Sequence, residues 1–236
     1  MVRCMNSFEH IAVLLLPLCI LLTCVTPAGA LSRVDTGGEK LIALSFDDGP
    51  DPKHTGEILD ILSKYEVRAT FFIVGSNAEN NPGLVLRAQS EGHEIGSHTY
   101  SHMNGKKKCG KEYGEDIRKN EALLSELLGF SPVLFRPPGG NLSREHAAVV
   151  SNMGYTTVLW SVDTEDWRGN SAEKIEKTVF GSVKNGDIIL MHDCIYGDSH
   201  TAEALEKIIP ELLGEGYRFV TVSELISADQ KIASAQ

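Results

Sequence analysis

The sequence predicts an α/β fold in which helices cover a parallel sheet, and three observations predict it. From Lys40 onward, short apolar runs alternate with helical patterns. The runs are near-continuously apolar, as strands buried on both faces are. About seven such runs in about 200 residues suggest an α/β barrel somewhat short of a regular eightfold one. A doubly wound open sheet is the alternative, although "FDDGPD" after the first run is not a Gly-rich phosphate fingerprint.

The elements follow in order. "LIALSF" (41–46) is the first strand, and "TGEILDILSKY" (55–65) puts Ile58, Leu59, Ile61 and Leu62 on one helical stripe. "ATFFIVG" (69–75) is the second strand, and "NPGLVLRAQSEG" (81–92) is a helix that starts near Pro82 and stops at Gly92. "HEIGSH" (93–98) is a short strand, followed by a helix in "EYGEDIRKNEALLSELLG" (112–129) that Gly129 ends. "PVLFR" (132–136) is a strand, and "SREHAAVVSNMG" (143–154) is a helix with a Ser cap and a Gly154 stop. "YTTVLWSV" (155–162), "DIILMH" (187–192) and "RFVTV" (218–222) complete the strands, with helices near 171–184 and 201–214 between them.

The first thirty residues are expected to lie outside the fold. Ile11–Val25 is an apolar run too short for a transmembrane helix, and "PAGA", ending at Ala30, fits the small-residue cleavage rule. A secretory signal peptide over 1–30 is therefore expected, and with it a secreted or cell-wall-associated protein. An uncleaved N-terminal anchor is the alternative. Residues 31–39 read as a short mobile lead-in, 40–228 as one domain and 229–236 as a tail. The formal net charge of -10 gives no overall field that would seek nucleic acid or an anionic membrane surface. Cys109 and Cys194 remain after the leader; an oxidising compartment permits a disulfide between them, and two free thiols are the alternative.

Five polar clusters follow strands: "FDDGP", "SHTYSH", "FRPPGG", "VDTEDW" and "LMHD". Barrel enzymes carry their chemistry at the C-terminal strand ends, and chance would scatter such clusters over both ends. Asp47 and Asp48 alone would read as an acidic turn before a Gly-Pro break. His98 and His102 are four apart, so one helical turn would set both imidazoles on the same side. Two histidines and one carboxylate leave zinc a position open for water. Thr99 stands where the zinc-protease helix motif needs Glu, so the carboxylate ligand and the base must come from elsewhere. "FDDGP" offers one of each. His93 reads as a core histidine; His54, His146 and His200 fall on helix starts or surfaces and are assigned no chemistry.

In that order, "SFDDGP", "HTYSH", "RPPGG", "DTEDW" and "LMHD" resemble the five motifs of the polysaccharide deacetylase family, carbohydrate esterase family 4 with its NodB-type homology domain. The resemblance covers essentially all of 40–227. It implies a distorted (β/α) barrel and metal-dependent removal of acetyl groups from sugars, commonly N-acetylglucosamine. It also implies roles. Asp47 would be the general base, and Asp48, His98 and His102 the metal ligands. Arg136 would orient the base. His192 would be the general acid, with Asp166 tuning its charge. Gly139 stands where the family often has Tyr and would keep the backbone N–H that stabilises an oxyanion. Trp167 and Leu190 would line the sugar and acetate subsites, and Asp163 reads as structural. The ligand set suits zinc; cobalt, nickel or manganese can occupy the same positions.

The expected function is a secreted N-deacetylase acting on peptidoglycan or a chitin-type glycan, as a monomer with no protein partner implied. An acetyl xylan O-esterase using the same site is one alternative. A non-catalytic carbohydrate-binding domain on this fold is another, and the presence of every catalytic residue type argues against it.

Overall fold

The computed structural model describes residues 29–105 and 108–235. The expected leader lies outside the described residues apart from Gly29 and Ala30. Among the described residues, no helix is long and apolar enough to cross a membrane.

The strands are β1 (Leu41–Asp47), β2 (Thr70–Ile73), β3 (Glu94–Ser97), β4 (Leu134–Phe135), β5 (Thr156–Thr157), β6 (Val162–Asp163), β7 (Ile188–His192) and β8 (Arg218–Phe219). All pair in parallel along the path β5-β4-β3-β2-β1-β7-β6, and β8 pairs with the start of β1. No ladder joins β5 to β6 among the described residues, so the sheet is a curled half-barrel. This is the distorted barrel of about seven parallel strands that the sequence and its resemblance imply.

Helices α1 (His54–Lys64), α2 (Gly75–Asn80), α3 (Pro82–Ser90), α4 (Gly110–Leu128), α5 (Arg144–Asn152), α6 (Ala172–Ser182), α7 (Thr201–Gly214) and α8 (Val222–Ala235) surround it. The stripe on α1 does what its spacing predicts: Ile58, Leu59, Ile61 and Leu62 are all buried in the largest core cluster. Each such side chain contributes about 1.5–3 kcal/mol by leaving water. Phe46 of β1 stacks on Phe71 of β2 at 5.0 Å between ring centres. Gly129 ends α4 at φ 79°, and Ser143 caps α5 by accepting from the His146 N–H at 3.2 Å.

The structure corrects four details. The stretch 155–162 is not one strand. Its start pairs with β4 and its end with β7, on opposite edges of the curled sheet, so the chain must leave the ladder between them to cross the seam. The lead-in is pinned across that seam instead of being mobile. Leu31 bridges Val158, Arg33 pairs with Asp187, and Val34 is buried with its N–H on the Gly186 carbonyl at 3.0 Å. The short helix α2 was not expected, because six residues of "GSNAEN" are too few and too polar to show periodicity. Strand β8 is shorter than 218–222, and α8 runs on through residue 228 to Ala235.

Candidate active site

The clusters meet at one end of the half-barrel. Asp47 ends β1 and His192 ends β7, and the two are register partners in adjacent parallel strands. Asp47 is buried, and the Arg136 guanidinium donates from Nη1 to its Oδ1 at 2.7 Å. Arg136 is fully buried just past β4. Its other donors go to the carbonyls of Val158 (3.4 Å) and Leu159 (3.0 Å), and its plane lies 4.0 Å from the Phe72 ring centre. A buried charge needs such complete pairing.

Asp48 follows the strand at φ 77°, in the left-handed region, and both carboxylates approach His98 Nε2, with Asp47 Oδ2 at 3.8 Å. Its Oδ1 lies 3.0 Å from His102 Nε2 and 3.3 Å from His98 Nε2. His98 Nδ1 lies 2.7 Å from the Arg136 carbonyl. A carbonyl only accepts, so Nδ1 carries a hydrogen, and Nε2 is the ring atom that faces Asp48. Asp48 Oδ1 is buried with no hydrogen-bond partner among the described residues. Burial raises the Asp48 pKa, but the two imidazoles outweigh burial and hold the carboxyl below its usual range. Ligand atoms of Asp48, His98 and His102 all lie within 4.8 Å of one another. Two imidazole nitrogens converging on a buried carboxylate oxygen are a donor set that fits a divalent cation.

The two histidines do not share a helical turn. His98 follows β3, and the chain then bends with Thr99 at φ 66° and His102 at φ 53°. Asp116 of α4 holds this bend, accepting from the N–H groups of Tyr100 (2.9 Å) and Ser101 (3.1 Å). The i, i+4 spacing works here through a side-chain-braced loop.

Across the cleft, Asp166 Oδ1 lies 2.8 Å from His192 Nδ1, while its Oδ2 accepts from the His192 N–H (2.7 Å) and from Thr201 Oγ1 (2.8 Å). Burial disfavours the charged imidazole, but the Asp166 hydrogen bond and charge, with those of Asp47 and Asp48, raise His192 to about 9. The cleft between these groups has a volume of about 330 Å³. Gly139 lines it at φ 67°, as do Trp167 and Leu190. A second cleft of about 650 Å³ adjoins it, sharing Asp48, His102 and Trp167.

All ten residues singled out in the sequence therefore converge, with Arg136 and Asp166 behind the cleft wall. His93 is a buried core histidine that accepts from the Ala69 N–H at 3.2 Å. His146, expected at a helix start or surface, starts α5 but is buried against the Tyr113 ring. Cys109 and Cys194 are free thiols. Asp163, read as structural, accepts from the Glu165 N–H at 2.9 Å and also lines the cleft. Sequence reasoning missed Trp160 in the cleft wall, Asp116 behind the histidine loop, and Asn77 and Asp193 behind Asp48. Asp193 lay in plain view in "LMHD"; Asn77 sits in the unexpected α2 and carried no signal.

With this geometry, the comparisons converge. The polysaccharide deacetylase profile matches residues 35–158, and the chain belongs to that family. A peptidoglycan-N-acetylglucosamine deacetylase of Bacillus cereus is 42% identical over 202 residues, spanning 85% of this chain and 94% of that protein. A crystal structure of a peptidoglycan N-acetylglucosamine deacetylase in complex with 4-naphthalen-1-yl-N-oxidanyl-benzamide superposes with a TM-score of 0.81. It is 41% identical and covers 84% of this chain and 92% of that one. A family 4 acetyl xylan esterase from Clostridium thermocellum, in complex with a cobalt ion, superposes with a TM-score of 0.73. It is 35% identical and covers 80% and 91% of the two chains.

Proposed function

We propose that this chain hydrolyses the N-acetyl amide of N-acetylglucosamine residues in peptidoglycan, with a divalent cation, zinc first, held by Asp48, His98 and His102. The observation that carries the reading is the placement of a paired base, Asp47, and a paired acid, His192, on adjacent strand ends beside that triad. The relatives named above support peptidoglycan over xylan by higher identity. The leader read over residues 1–30 supports export to the cell wall, where the monomer meets its polymer.

A cation at the triad supplies Lewis acidity, which acidifies a water and polarises the acetyl carbonyl. Asp47 takes the proton of the attacking water on the oxygen that Arg136 leaves free. Arg136 holds that carboxylate in place through its other oxygen. Gly139 lines the cleft, and its N–H is the group assigned to receive negative charge developing on the acetyl oxygen. His192, protonated at neutral pH because Asp166 raises it to about 9, gives its Nε2 proton to the departing nitrogen. An amine leaves only after that proton arrives, so the products are acetate and a free glucosamine nitrogen.

The test is acetate release after chelation and zinc re-addition, on peptidoglycan fragments, chitin oligomers and acetylated xylan in parallel. Zinc-restored release from peptidoglycan supports the reading. Release from xylan alone would make the chain an O-esterase, and zinc binding without release from any of the three would favour the binding-domain alternative.

A further inference from the structure

We propose that Asn77 and Asp193 are positioning residues that aim Asp48 at the cation, an inference that rests on the metal reading above. Asp48 holds a left-handed backbone conformation, which L-residues adopt only at a cost. Something must hold it there. The Asp48–Gly49 peptide is gripped at both polar ends: Asn77 Nδ2 donates to the Asp48 carbonyl at 2.7 Å, and the Gly49 N–H donates to Asp193 Oδ1 at 3.0 Å. The preceding peptide is held as well, because the Asp193 N–H donates to the Asp47 carbonyl at 3.2 Å.

Peptide units are planar, so fixing the units on both sides of one Cα fixes its two rotations. The Asp48 side chain then has one direction in which to leave the backbone, and that direction meets His98 and His102. Asp193 is itself held. It is 1% exposed, and its Oδ2 accepts from Thr55 Oγ1 at 2.7 Å. The close grip depends on Gly49: a Cβ there would lie 2.0 Å from Asp193 Oδ2. Asp193 and Asn77 lie behind Asp48 and contact its backbone, so their effect on the cation passes through Asp48.

The experiment uses the whole chain and zinc alone as the probe. Zinc affinity is measured by chelator competition for Asn77→Ala, Asp193→Ala and Asp193→Asn, with the visible spectrum of the cobalt-loaded proteins and the melting temperature without metal. Loss of a group that orients a metal ligand commonly weakens binding about 10- to 100-fold. Both alanine variants are expected to fall in that range and to change the cobalt spectrum. Asp193→Asn is expected near the parent, because its amide oxygen still accepts from Gly49 and its NH2 can donate to Thr55. A folded Asn77→Ala or Asp193→Ala with zinc affinity within about twofold of the parent overturns the proposal, since positioning would then carry no weight on the ligand. Asp193→Asn as weak as Asp193→Ala also overturns it, by placing the effect on charge. Should Asp193→Ala not fold, the half-buried Asn77 decides alone. A parent that binds no zinc overturns the metal reading and this proposal together; a binding parent with unaffected variants overturns this proposal only.

Discussion

Replacing Asp166 with Asn tests the acid assignment most sharply. In the parent, His192 stands at about 9 against an ordinary 6.5, roughly 3 kcal/mol in favour of the charged ring. Burial works the other way, and Asp166 is the nearest charge opposing it. With Asn there, only the charges of Asp47 and Asp48 oppose burial, and His192 falls toward its ordinary value. At pH 8 the protonated fraction then drops from roughly nine-tenths to about 3%, a loss of about thirtyfold, while at pH 6 the same arithmetic gives less than about twofold. Misalignment of the ring adds a loss of its own that does not vary with pH. The assay is acetate release from a chitin oligomer or peptidoglycan fragment between about pH 5.5 and 10, with circular dichroism to show the fold. The expected signature is a basic limb moved acidward by about two pH units or more. A cation at the triad lowers this limb in both proteins, so the difference between them is what is read. A defect of equal size at every pH, with the basic limb unmoved, would refute His192 as a general acid poised by Asp166.

Other outcomes are expected from the same geometry. Asp47→Asn keeps an acceptor for Arg136 and should bind zinc like the parent while losing acetate release about 100-fold or more; His98→Ala or His102→Ala should lose both, as chelator competition will show. Trp167→Ala removes a half-exposed ring common to both clefts and should raise KM roughly five- to tenfold with little change in kcat, measured by steady-state kinetics. Gly186 has φ 81°, and a Cβ there would lie 1.8 Å from the Val34 carbonyl oxygen. Gly186→Ala should therefore cost at least about 2 kcal/mol. For a domain of this size, that is a fall of roughly 4–8 °C in melting temperature.

The sequence made the sheet legible because strands covered on both faces read as near-continuous apolar runs, as in "LIALSF" and "DIILMH". It misled where one run served two partners. "YTTVLWSV" has a single composition but crosses from one edge of the curled sheet to the other, and register with a distant strand leaves no local trace. The residues of the cleft were legible because five polar clusters follow strands, and parallel strands bring such positions to one end of the sheet. What holds those side chains was not. Asp116 reads as one more acid on a solvated helix face, and only the fold brings it under Tyr100 and Ser101. The His98 and His102 spacing pointed to two rings that do converge on Asp48, but for the wrong local reason, since four residues can close a braced loop as well as a helical turn.

Arg136 touches the site twice, once through its side chain and once through its backbone. Its guanidinium grips Asp47, and its own carbonyl fixes the ring of His98. The gap between the proposed base and a proposed metal ligand is thus spanned by one residue, whose length acts as a ruler. One residue therefore sets the positions of Asp47 and His98 relative to each other. The two grips can also be separated. Arg136→Lys leaves the carbonyl in place and shortens only the arm, freeing Asp47 while the His98 ring stays tied.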